Sequence, residues 1–205
     1  MREIRTIVVT GGPCGGKSTA MGWIQQAFSR LGYTVLFVPE TATELISGGV
    51  APWTCGTNLD YQRCQIRLQL EKEKIFRQAA MTMPQEKFLI VCDRGMLDNL
   101  AYMTGAEFLQ VLREEGLTEQ EALLRYDAVF HLVSAAKGMR EFYTLGNNAA
   151  RTETPEQAAE LDDRLLTAWH GHPNLFIIDN CDGFDRKMEH LVDAIAEALG
   201  VAAAV

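Results

Sequence analysis

The chain has 205 residues, 47% of them hydrophobic and 22% charged, the ordinary globular range, and enough to bury a substantial core in a single domain over residues 1–205. Its formal net charge of −8 argues against binding by phosphate neutralisation, so no nucleic acid is expected as a partner. The five cysteines, Cys14, Cys55, Cys64, Cys92 and Cys181, are odd in number and lack a CxxC pair, and they suggest neither a disulfide framework nor a zinc site.

Glu3 and a short apolar run follow Met1, too short and wrongly flanked for a signal peptide or membrane span, so a cytoplasmic protein without a membrane partner is expected. Five runs rich in Val, Ile, Leu and Phe, at residues 4–10, 34–39, 88–93, 128–134 and 175–179, predict buried strands. A first helix is expected over 17–31, with Ile24, Phe28 and Leu31 on one stripe and Gly32 as its stop, and a longer one over 60–81. Thr118 with Glu121, and Thr154 with Gln157 behind Pro155, have capping-box spacing and mark two more helix starts. The last helix follows Asp185, carries Met188, Leu191, Ile195 and Leu199 at core spacing, and ends at Gly200. Strands alternating with helices imply an α/β fold with right-handed crossovers and a parallel sheet covered on both faces.

Between the first strand and the first helix, Gly11-Gly12-Pro13-Cys14-Gly15-Gly16-Lys17-Ser18 fits GxxxxGK[ST] in the context that motif requires. Glycines let successive N–H groups point into one concavity, and the helix N-terminus adds partial positive charge for an anionic phosphate. Lys17 is the candidate cation for the β- and γ-phosphates, Ser18 the Mg²⁺ ligand, and Thr19 a contact for the α-phosphate. The α/β fold is therefore expected to be that of a P-loop NTPase, with a nucleoside triphosphate (ATP or GTP) and Mg²⁺ as cofactors.

Absences narrow the class. Asp93 is followed by Arg94-Gly95-Met96, not by the xxG of a GTPase DxxG element, and no NKxD occurs. The water-activating Glu that follows the metal-coordinating Asp in motor ATPases is replaced by Arg94, and Ile46-Ser-Gly-Gly49 lies too early to be an ABC-transporter signature. What remains fits transfer to a bound acceptor, which needs a carboxylate near the acceptor hydroxyl, a metal site, and cations for the moving charge. Asp93 ends an apolar strand, with Ser18 as partner metal ligand and Arg94 beside it, and Glu40 ends the second strand at the same ligand edge of the sheet, where it is the candidate acceptor-side base.

The segment from Asp93 to Tyr102 resembles the DRY…AY segment of thymidylate kinases and the ERS segment of deoxynucleoside kinases, and Glu40 matches the acid after the second strand of the latter. Asp93 and Gly95 depart from the Glu and Ser of that pattern, which leaves the acceptor undefined. Over most of its length the chain is similar to a family of AAA-labelled predicted ATPases, relatives of the ribosylnicotinamide-kinase half of NadR and of the TRPL translocation-defect protein. Gly11 to Lys17, Val38 to Glu44, Arg151-Thr-Glu-Thr154, and His172-Pro173 with Ile178-Asp-Asn180 carry this likeness. The resemblance implies five parallel strands in the order 2-3-1-4-5, a mobile lid, and a base-binding loop near residues 180–183 that includes Asn180.

A polar stretch from Lys137 to Arg151 is long enough to close over phosphates, with Arg140 and Arg151 as its candidate catalytic cations, or else it is a solvated loop. Arg63 and Arg67, one turn apart, have two readings: a clamp for an anionic acceptor, or, as favoured by neighbouring Glu71, Lys72, Glu73 and Lys74, surface charge. Trp53 either stacks on a planar acceptor or covers a core edge. His172 reads as structural, and Trp23 and Trp169 as core or half-core. The expectation is Mg²⁺-dependent phosphoryl transfer from ATP or GTP to a small hydroxylated, nucleoside-like acceptor. The alternative is a regulatory ATP- or GTP-binding NTPase with no such acceptor; either accommodates a homodimer.

Overall fold

A computed structural model describes residues 2–138, 154–180 and 183–202. In chain order the elements are β1 (Glu3–Thr10), α1 (Lys17–Arg30), β2 (Thr34–Val38), α2 (Thr41–Ser47), α3 (Asn58–Thr82) and β3 (Lys87–Asp93). A 3-10 turn (Met96–Ala101) follows, and then α4 (Gly105–Glu114), α5 (Glu119–Leu123), β4 (Ala128–Leu132), α6 (Pro155–Ala168), β5 (Leu175–Ile178) and α7 (Phe184–Leu199).

All five strands are parallel and lie in the order β2-β3-β1-β4-β5, as the resemblance implied. Side chains alternate across the sheet. Ile7 and Val9 join Ile24 and Phe28 of α1 and Leu191 and Ile195 of α7 on one face. Val8 on the other face meets Ile66 of α3, Phe108 and Val111 of α4, and Trp169. The order reverses beside β1, so the loops after β1, β3 and β4 converge at one carboxyl edge, where open α/β sheets bind ligands. In register, Val9 of β1 stands opposite Asp93 of β3, and Thr10 opposite His131 of β4.

Strands and helices end for local reasons. β2 stops at Val38 because Pro39 has no N–H for the ladder. β4 stops two residues before the expected Ser134, whose N–H is donated to Asp162 Oδ1 at 3.2 Å. Thr118 with Glu121 and Thr154 with Gln157 form the expected capping boxes, and an unforeseen third joins Thr104 to Glu107 at the start of α4. The long helix begins at Asn58, because Thr57 accepts the Asp60 N–H and caps it. Among the described residues, no helix is long and apolar enough to cross a membrane.

Two charged side chains of α3 read from sequence as surface are buried instead. Lys72 donates to the Pro39 carbonyl (2.5 Å) and to Glu44 (2.8 Å), and Glu73 accepts from Tyr126 Oη (2.7 Å), Gln69 (2.8 Å) and Arg125 (2.9 Å). Each charge leaves water only because partners from distant segments surround it. Lys72 thereby ties α3 to the end of β2, one wall of the site.

Candidate functional site

The loop from Gly11 to Gly16 passes over the end of β4 so closely that a Cβ on Gly11 would lie 2.1 Å from the Leu132 carbonyl oxygen, and one on Gly15 2.7 Å from it. Gly11 and Gly16 have φ of 131° and 94°, and Cys14, at φ 56°, holds a left-handed conformation rare for a residue with a side chain. The loop curls into the N-terminus of α1, the anion cradle expected from the motif. Lys17 folds back over it, donating to the Gly11 and Gly12 carbonyls at 3.0 and 3.3 Å. Burial, reinforced by the Arg94 charge and opposed by Asp93 and Glu40, pushes the Lys17 ammonium down to about 8. Ser18 and Thr19, in the first turn of α1, are exposed.

Across the sheet edge, Asp93 Oδ1 is buried without a hydrogen-bond partner among the described residues. Burial raises the pKa of the Asp93 carboxyl above its ordinary value, against the pull of Lys17. Arg94 sits at φ 69°, a strained conformation held by its N–H bond to the Val9 carbonyl at 3.1 Å. Its Nε donates to Glu40 Oε1 at 2.6 Å, while Nη1 is buried with no hydrogen-bond partner among the described residues. Glu40 also accepts from Thr43 Oγ1 at 2.6 Å. Burial would raise its pKa, but Arg94 and Lys17 outweigh that and hold the carboxyl at about 2.

Asp98 fixes the turn that carries Asp93 and Arg94. This buried carboxylate accepts from Thr10 Oγ1 (2.7 Å), Trp169 Nε1 (2.7 Å) and the Gly95 N–H (3.0 Å). A Cβ on Gly95 would come within 2.7 Å of the Trp169 ring. The glycine where deoxynucleoside kinases carry Ser therefore follows from the indole packed behind it.

The first two turns of α3 contribute Tyr61 and Gln62, whose Oη and Oε1 are buried and have no hydrogen-bond partner among the described residues. Burial, with the nearby Glu40 and Tyr102, pushes the Tyr61 phenol up to about 12, so it remains a hydrogen-bond donor at neutral pH. Arg63 and Arg67 do not join this group. They pair with Glu114 (2.7 Å) and Glu115 (2.5 Å) at the C-terminal end of α4, in agreement with the surface reading. Trp53, 74% exposed, covers no core edge. His172 is structural as expected, its Nδ1 accepting the Asn174 N–H and its Nε2 3.1 Å from the Tyr126 carbonyl. Trp169 is core, and Trp23 packs partly buried against the α1–α7 layer.

The Asn180 side chain is held by protein groups. Its amide donates to the carbonyls of Ser134 (2.8 Å) and Lys137 (2.9 Å), and its Oδ1 accepts from Lys187 (2.8 Å), so the side chain ties the loop after β5 to the loop after β4. Arg140, Arg151 and the rest of residues 139–151 of the expected lid, and residues 181–182 of the expected base loop, lie outside the described residues.

Sequence reasoning missed Asp98, Tyr61 and Gln62, together with Asp162 behind the cradle. Asp98 lies inside the segment already singled out, and Tyr61 and Gln62 adjoin Arg63. Asp162 belongs to no motif and meets the cradle only through the fold. Among the described residues, no cluster of three or more His, Cys, Asp or Glu side chains could hold a metal unaided. Mg²⁺ in nucleotide sites needs no such cluster, being held by one or two protein oxygens together with phosphates and water. The orphaned Asp93 Oδ1 and the exposed Ser18 hydroxyl are the fitting donors.

The AAA domain family matches residues 6–186. No curated protein sequence matches the chain. Among solved structures, it is similar to the NadR protein in complex with NAD and AMP-PNP, at TM-score 0.63 and 16% identity, over 97% of this chain and 50% of that one. It is also similar to deoxyadenosine kinase from M. mycoides with bound dATP, at TM-score 0.61 and 13% identity, over 93% and 98% of the two chains. The chain thus spans about half of the NadR chain and nearly all of the deoxyadenosine kinase. The chain belongs to the AAA domain family, and its fold is that of the P-loop nucleoside and nucleotide kinases.

Proposed function

We propose that this protein transfers the γ-phosphoryl group of ATP or GTP to a hydroxyl of a small, nucleoside-like acceptor. The observation that carries the reading is the set of buried polar atoms around Lys17 and Glu40: Asp93 Oδ1, Arg94 Nη1 and Tyr61 Oη all lack hydrogen-bond partners among the described residues. Buried polar atoms are costly unless something satisfies them, and a bound acceptor and phosphate would do so. The NadR protein was solved with AMP-PNP and the deoxyadenosine kinase with dATP, which supports a nucleotide in this cradle.

In the proposed reaction the acceptor oxygen forms a bond to the γ-phosphorus as the bridging β–γ bond breaks. The nucleoside diphosphate leaves and the acceptor proton passes to Glu40. Held ionised by Arg94 at neutral pH, Glu40 acts as a hydrogen-bond acceptor that orients the hydroxyl, the main demand of a loose phosphoryl-transfer transition state. Lys17 and the loop amides carry the charge on the β- and γ-oxygens, and Arg94 Nη1 reaches the oxygens nearest the acceptor. Mg²⁺, held by Ser18 and Asp93, would neutralise developing charge on the bridging phosphates. Asn180 takes part by holding the base-side loop in place, and Arg140 and Arg151 are assigned to the transferring phosphoryl group.

Incubation with ATP or GTP and a panel of nucleosides, nucleotides, sugars and vitamins, followed by mass analysis, tests this. An acceptor that gains the mass of one phosphate is the expected result. Hydrolysis indifferent to every acceptor would favour the regulatory NTPase instead.

A further inference from the structure

Behind the cradle, Asp162 of α6 is completely buried. Its Oδ1 accepts the Gly12 N–H at 2.7 Å and the Ser134 N–H at 3.2 Å. Lys137 Nζ lies 2.8 Å from Oδ2, and His131 Nε2 lies 3.1 Å from Oδ1. These contacts hold the carboxyl well below the usual carboxylate range despite its burial. Ser134 in turn donates its hydroxyl to the Pro13 carbonyl at 2.5 Å, and the Ala135 N–H reaches the Cys14 carbonyl at 3.4 Å. One carboxylate therefore pins the cradle from Gly12 to Cys14 against the loop after β4. It also accounts for Gly12, which occupies a variable position of the P-loop pattern: a Cβ there would lie 2.8 Å from both Cβ and Oδ1 of Asp162.

We propose that Asp162 is a positioning residue for the triphosphate cradle. By taking the Gly12 N–H into a short charge-assisted bond, it sets the curl that aims the following amides at the phosphates. Lys137 neutralises it, so that an anion standing behind the cradle does not repel the anion in front. A buried carboxylate is tolerated only when hydrogen bonds and opposite charge offset its desolvation. Here the Gly12 and Ser134 N–H groups bond Oδ1, and Oδ2 has the charge of Lys137, which also pairs with Asp163 at 2.7 Å. The inference rests on nucleotide binding at this loop, but its structural half does not.

The test compares Asp162→Ala and Asp162→Asn with wild type by amide hydrogen exchange and by calorimetric binding of ATP, ADP and adenosine. In the Ala variant, exchange should speed up across residues 12–17 while the amides of β1 and β3 keep their protection. Affinity for ATP and ADP should fall about ten- to a hundredfold, the usual penalty for a cradle displaced by about an ångström, and that for adenosine should hold. The Asn variant, which keeps an acceptor oxygen for Gly12, should recover most of both. Unchanged exchange at residues 12–17, or a uniform loss of protection across the sheet, overturns the proposal. If wild type binds no triphosphate, the nucleotide reading fails on its own, and the exchange data still decide whether Asp162 shapes the loop.

Discussion

Replacing Glu40 by Gln tests stability and chemistry together, because the same carboxylate holds Arg94 and is the proposed acceptor-side base. In the wild type its pKa lies at about 2 instead of 4.5, a preference for the ionised form of about 3 kcal/mol at neutral pH. The side chain is 26% exposed, and solvent screening reduces the figure to about 2 kcal/mol. Gln keeps the shape but leaves the buried Arg94 cation without its counter-charge. For a chain of this size the melting temperature should fall by roughly 4–8 °C. Because the folded pKa is depressed, the stabilisation is fully present above pH 4.5 and disappears as pH falls through about 2. The gap between wild type and Glu40→Gln in urea denaturation should therefore be widest near neutrality and narrow as the solution is acidified below 4.5. Phosphotransfer should drop by roughly two to four orders of magnitude, measured on the folded fraction. Equal unfolding midpoints at neutral pH would refute the Arg94 coupling. Near-normal phosphotransfer would remove Glu40 from the chemistry and leave Asp93 as the base.

Lys17, lowered by burial to about 8, gives a second pH signature. As for any group with a depressed folded pKa, the unfolded chain binds more protons between about 8 and 10.5, so the Lys17 contribution to stability rises with pH across that window and is lost as pH falls through 8. A triphosphate recharges the amine, so binding above pH 8 should take up a proton and weaken by up to about tenfold per pH unit. Calorimetry in buffers of different ionisation enthalpy would detect it, and no buffer dependence at alkaline pH would contradict it. Asp93→Asn should cost Mg²⁺-dependent turnover far more than nucleotide affinity, as shown by comparing kcat with equilibrium binding; equal losses would make Asp93 structural. Gly95→Ala should destabilise by about 1–3 kcal/mol, because its Cβ meets the Trp169 ring at 2.7 Å, and denaturation unchanged from wild type would show that the indole yields.

The parts legible in the sequence were those with local causes. GxxxxGK[ST] after an apolar run, capping boxes at Thr118 and Thr154, and acids at strand ends each need only a few neighbouring residues to be read. Lys72 and Glu73 were misread because their alternating charge matches a solvated helix face. Their partners, Pro39, Glu44, Arg125 and Tyr126, come from segments at least 28 residues away along the chain. Asp162 was invisible for the same reason at longer range, 150 residues from the Gly12 amide it accepts. The grip of the Asn180 amide on the Ser134 and Lys137 carbonyls is likewise illegible, because it depends on the approach of the loops after β4 and β5.

The hydrogen bond from the Trp169 indole to Asp98 has a practical consequence for spectroscopy. This fluorophore is fully buried and sits behind the turn that carries Asp93 and Arg94, whereas Trp53 is bathed in water. The blue side of the emission band therefore belongs largely to Trp169. A ligand that shifts this turn should alter that signal without any attached label, and replacing both Trp53 and the half-buried Trp23 by Phe would leave it standing alone.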